Sequence, residues 1–207
     1  MGTLQTLSGI LGLSFVSGVN LYATILTVGL GLHYGWIHGL PDDLNILGHP
    51  LVLIIAGVFY AAEFVADKVP FFTPVWDAVH TIIRPLGAAA LALGASSDMS
   101  PLMQIIAVLV GGSVALSTHS TKMGMRLAAH AVPEPATHSA ISIAEDVGVF
   151  GLTALTMTHP LIALPVILLL MVGMFFLLRM AFKALARAAR RVVRWFSFRP
   201  DLGNQQS

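Results

Sequence analysis

The chain reads as an all-α membrane protein: a polytopic bundle of about six transmembrane helices, with a short amphipathic interfacial helix and a basic amphipathic helix at the C-terminus. Three observations predict this. Of 207 residues, 56% are hydrophobic and 10% charged, with a mean hydropathy of +0.83. A soluble domain carries about 25% charged residues, and one this apolar lacks the polar side chains to cover its surface. Apolar runs recur near the length of about 20 residues that carries a helix across a bilayer. Finally, seven of the eleven basic residues fall between Arg179 and Arg199.

The spans are placed at roughly 8–31, 49–67, 83–96, 101–118, 138–157 and 160–181. The first lacks a basic stretch or a small-residue cleavage site before it, so it is read as a retained span. A polar loop fills 32–48, and Pro101 and His159-Pro160 mark two tight turns. Residues 1–181 form the transmembrane domain and 182–207 a basic cytoplasmic tail. An even number of spans puts both termini on one side, and the basic tail makes that side the cytoplasm. The inward connections at 68–84 and 118–137 then hold Lys68, Arg84, Lys122 and Arg126, while the outward ones hold no Lys or Arg.

Charge is concentrated where the spans meet the inner surface. Glu63 and Asp67, four residues apart, share one face at the end of the second span, with Lys68 next and Pro70 stopping the helix. Thr73 suits an N-cap, Pro74 the first helical position, and Asp77 the positive end of the helix dipole. Asp77, His80 and Arg84 then make a polar stripe opposite Val75, Val79, Ile82 and Ile83, predicting the short amphipathic helix, which Pro85 separates from the next span.

His119, Lys122, Arg126 and His130 step along one helical face in the same way, and Glu145 and Asp146 sit inside an otherwise apolar span. The first span adds an uncharged stripe of Ser17, Asn20, Thr24 and Thr27, which suits helix packing, and Gly18 beside Asn20 loosens that helix. Five acids (Glu63, Asp67, Asp77, Glu145, Asp146) face four bases (Lys68, Arg84, Lys122, Arg126). Each charge at a span centre costs about 2.5–3.5 kcal/mol. Near balance predicts that the charges converge, with His80, His119 and Asn20, on one inward-facing polar pocket.

The strings SGVNLY, EFVADKVP, WDAVHTIIRP, PEP and SIAEDV occur in this order. In them the chain resembles a bacterial family of small integral membrane proteins catalogued as a domain of unknown function, over roughly residues 10–165. The chain departs from that family's usual pattern at Leu21, where Pro often follows the Asn, and at Thr73, where an acid often stands. The resemblance implies the architecture and the location of the site, and no activity.

Several readings of these residues stay open. Glu63, Asp67 and Lys68 also suit interfacial anchors, His80 a proton carrier, and Lys122 and Arg126 either headgroup binding or snorkelling. A metal site from Glu63, Asp67, His80 and His119 has no ligand-spacing motif behind it, so neither metal nor cofactor is assigned. Cysteine is absent, which excludes disulfide and thiolate chemistry. No nucleophile-elbow, phosphate-loop or dinucleotide motif is present. A transporter or channel for a small solute, ion or lipid is therefore favoured over a membrane-embedded lipid enzyme or a scaffold for another complex. The expected partners are anionic headgroups at the tail and a small-molecule or lipid ligand at the pocket. No nucleic acid is expected, and a homo-oligomer stays open.

Overall fold

The computed structural model describes residues 2–68, 72–129 and 135–197. Pro70, His130 and Arg199 lie outside them, as do the side chains of Arg194, expected on the basic face of the tail helix, and of Leu185, Val192, Val193 and Phe196, expected with Phe182 on its apolar face. The described chain is helical, with no strand: α1 Thr3–Val19, α2 Leu21–His33, a 3-10 segment Asp42–Gly48, α3 Pro50–Ala66, α4 Thr73–Ala95, α5 Pro101–Ala129, α6 Pro135–Thr158 and α7 Pro160–Ser197.

The bundle is apolar outside and polar within. Large side chains such as Ile54, Val58, Leu86, Leu109 and Leu169 are exposed, while Glu63, His80, Arg84, His119 and Lys122 are buried. Water would reject that arrangement; hydrocarbon favours it. Among the described residues three helices, α4, the Pro101–Arg126 part of α5 and the Pro160–Met180 part of α7, are each long and apolar enough to cross a membrane; the 3-10 segment and α3, bent by 64°, reach that length only when taken together. These apolar helices mark an integral membrane protein.

Two expected boundaries are absent. The amphipathic helix and the third span are one helix, α4, which runs through Pro85. Proline removes only one N–H, and a helix packed on both sides tolerates that loss within a membrane bundle. The basic tail continues α7 without interruption, as one helix of 38 residues.

The first expected span, 8–31, is instead a helical hairpin. Along α1, Ser14 lies against Gly111 and Gly18 against Ala115, so α1 runs in the direction of α5. Along α2, Tyr22 stacks on Phe59 at 5.0 Å and Gly29 meets Leu53, so α2 runs against α3. The start of α1 shares a cavity with Asp98, Met99 and Pro160, and the far end of α2 bonds back to Gly48 through His33. Both ends of the pair thus sit at the end of the bundle formed by the turns 97–100 and 158–160, and its tip at Asn20 stops part-way down. The expectation that both termini share a side rests on a single crossing over 8–31. The hairpin returns where one crossing was counted, and the N-terminus lies at the end of the bundle away from the basic tail.

Small residues make the close contacts that set this packing. Gly111 faces Ala88, Ala92 and Ser14, and Gly87 faces Leu21. Without bulky side chains the helix backbones approach closely, which takes the place of a hydrophobic driving force inside a membrane.

Candidate functional site

The site grows from the break between α1 and α2. Asn20 is the single residue between them, extended at φ −152 and ψ 102. Its side-chain oxygen accepts from the Ala23 N–H at 2.9 Å, capping α2. The break leaves the last carbonyls of α1 without intrahelical donors, at the negative end of that helix. Two cations satisfy them: Arg84 Nη1 donates to the Gly18 carbonyl at 3.0 Å, and Lys122 Nζ to the Val19 carbonyl at 3.1 Å.

From those two cations an ion-pair network spreads. Arg84 Nη2 donates to Glu63 Oε1 at 2.6 Å, both side chains being fully buried. Arg84 Nη1 also reaches His119 Nδ1 at 2.9 Å. Arginine offers only donors, so Nδ1 accepts, and the neutral ring carries its proton on Nε2. That nitrogen lies 3.1 Å from the Asp77 carbonyl and 3.2 Å from Thr81 Oγ1.

Lys122 pairs with Glu145 at 3.0 Å and Asp67 at 3.6 Å. Arg126 joins Asp67 at 2.6 Å to Asp77 at 3.0 Å. Exposure rises from 0% at Glu63 and Arg84 through 2% at Asp67 and Lys122 to 17% at Arg126 and 23% at Glu145. The network therefore has a dry inner layer and a wetter outer one. Asn20 Nδ2 links it to Asp146 Oδ1 at 3.1 Å.

Ten of the twelve residues singled out in the sequence meet here: Asn20, Glu63, Asp67, Asp77, Arg84, His119, Lys122, Arg126, Glu145 and Asp146. Two stand apart. Lys68 curls back, with Nζ donating to the Phe64 carbonyl at 3.1 Å and lying 3.0 Å from the Phe64 ring centroid. His80 turns to aromatic neighbours: it stacks on Trp76 at 4.5 Å, bonds the Trp76 carbonyl through Nδ1 at 2.8 Å and meets the Tyr22 hydroxyl at 3.1 Å. Ser17, Thr24 and Thr27 are buried, the two threonines donating to carbonyls one turn back.

The charged groups contact one another, so the arrangement is a closed network. A cavity of about 160 Å³ lies at the far end of the bundle, among Thr6, Gly9, Leu13, Leu44, Asp98 and Met157. Among the described residues no three His, Asp or Glu side chains are grouped as metal ligands. Residue patterning missed the carbonyls of Gly18 and Val19, and also Tyr22, Tyr60 and Thr81. The carbonyls had one sequence signal, a Gly two residues before a capping Asn.

A helical membrane protein built around a broken helix and a buried ion-pair network is the class these observations define. The chain belongs to the family described as a domain of unknown function, DUF4126, whose model matches residues 7–180. No curated protein and no solved structure matches it.

Proposed function

We propose that the protein is a multi-pass protein of the bacterial inner membrane that moves a small solute, ion or lipid, with the network around Asn20 as its binding and gating site. One observation carries this reading: two buried cations satisfy the carbonyl end of a helix broken inside the bundle. Half-helix ends facing buried charge are the binding elements of secondary transporters, and ionisable residues at membrane depth mark transport pathways by default.

In this reading Lys122, Arg126, Asp67 and Glu145 form an inner gate and Arg84 with Glu63 the deeper anchor. The gate opens when a ligand's charges replace those of the pairs, so an anionic or zwitterionic ligand suits it. The basic residues assign the charged end to the cytoplasm. The tail helix then meets anionic lipid through Arg179, Lys183, Arg187 and Arg190, and self-association of the chain is compatible with the exposed faces of α3 and α7.

The test is flux in proteoliposomes, with inorganic phosphate, zwitterionic amino acids, alkali cations and short-chain phospholipid as probes. Asp67→Asn and Glu145→Gln, each checked for folding, are expected to abolish the flux of whichever probe moves. Flux no greater than in protein-free vesicles for every probe overturns the reading, as does full activity in both variants.

A further inference from the structure

Each acid of the ion-pair network but one has a cation in contact. Glu63 has Arg84, Asp67 has Lys122 and Arg126, Asp77 has Arg126, and Glu145 has Lys122. Asp146 has none among the described residues. It is 6% exposed and sits midway along α6, eleven residues after Pro135 and twelve before Thr158. Its neighbours are uncharged: the Asn20 amide, which donates to it at 3.1 Å, and the Tyr60 phenol, which is close enough to interact with it.

The groups around it are few. From α3 comes Tyr60, from the turn after it Asp67 and Lys68, from α5 Lys122, and from its own helix Glu145. Lys68 is turned to Phe64, and the ammonium of Lys122 is already held by Glu145, Asp67 and the Val19 carbonyl. Neither α1 nor the adjoining half of α2 has a charged residue, and α7 has none before Arg179. A carboxylate buried without a counter-ion is costly, and taking up a proton removes the charge. Unlike its neighbours, then, this acid is free to change state without stranding a cation.

We propose that Asp146 is a proton-exchanging carboxyl, gated by the Asn20 tip of the hairpin. While water has access, a hydronium ion gives its proton to a carboxylate oxygen, one O–H bond breaking as the other forms, and the closed arrangement holds the neutral acid. When the Asn20–Asp146 contact opens, the O–H bond breaks, the proton passes to entering water and the carboxylate is restored. Asn20 suits the gating role because its oxygen caps α2 while its nitrogen holds Asp146, so the hairpin cannot move without altering the acid's surroundings. The proposal rests on the transport reading only for the solute; there it names the proton as the coupling ion.

Infrared difference spectroscopy of the full chain in lipid nanodiscs, titrated across pH, tests this. The carboxylic C=O stretch is expected to appear and vanish with pH, to be lost in Asp146→Asn, and to persist in Glu145→Gln. Asn20→Ala removes a hydrogen bond and Tyr60→Phe a polar neighbour, and both are expected to shift its frequency, which keeps the test decisive if Asp146→Asn does not fold. A spectrum with no such band in the wild type overturns the proposal, and so does a band indifferent to Tyr60→Phe and Asn20→Ala. A titrating Asp146 without flux of any probe sinks the transport reading alone. Flux unchanged by a pH gradient, with no titrating Asp146, sinks this proposal alone.

Discussion

Arg84 satisfies three acceptors from the middle of one helix: the Glu63 carboxylate, the Gly18 carbonyl and the His119 ring. Removing one partner leaves the other's charge buried and unpaired, which costs about 3–5 kcal/mol, whereas replacing both with apolar groups is often neutral. Thermal unfolding in detergent is therefore expected to show Arg84→Ala and Glu63→Ala destabilised by about that amount, with the double variant Glu63→Met/Arg84→Met recovering most of it. Additive losses in the double variant would refute the pairing. Lys68→Ala, by contrast, removes only the contact with Phe64 in the preceding helix, worth about 0.5–1 kcal/mol. The convergence of most charges was legible in the sequence because opposite charges in an apolar chain are cheapest together. Lys68 was not, since its four-carbon stem lets the ammonium turn either way from the same Cα. Gly18 and Val19 act through backbone oxygens, which no side-chain pattern announces.

Long helices were legible as apolar runs, and their ends were not. Pro85 reads as a boundary, and in water it would favour one; within the bundle α4 passes through it. The polar steps His119, Lys122 and Arg126 read as a connection, yet they extend α5 as one helix of 29 residues because their charges find partners inside. The break at Asn20 is the reverse case: the apolar run is continuous and the helix is not. Its stability rests on two local features. Asn20→Ala deletes the α2 cap and is expected to cost about 0.5–2 kcal/mol. A Cβ at Gly18 would collide with the Ala115 carbonyl, so Gly18→Val is expected to cost about 1–3 kcal/mol by forcing α1 from α5. Both are read by thermal unfolding; a wild-type midpoint for Gly18→Val would mean that the two helices do not approach as described.

The two ends of the chain follow from the hairpin. Residues 1–48 hold no Lys or Arg, so the segregation of basic residues is satisfied equally by one crossing or by a hairpin that turns back. Charge counting thus fixes which end of the bundle is basic but is silent on where the chain starts. Packing decides it: Thr3 and Thr6 share a cavity with Asp98, Met99 and Pro160, at the end away from Arg126 and the basic stretch of α7. Short polar-tipped hairpins survive at membrane depth only when protein shields their broken backbone, and Arg84, Lys122 and Asp146 do so here. Because the chain has no native Cys, single-Cys labelling reads the outcome directly. An impermeant thiol reagent is expected to reach Thr3→Cys from outside intact cells stripped of their outer envelope, and Ser197→Cys only after the membrane is opened. Labelling of both from the same side would restore a full first crossing, and with it an even number of spans.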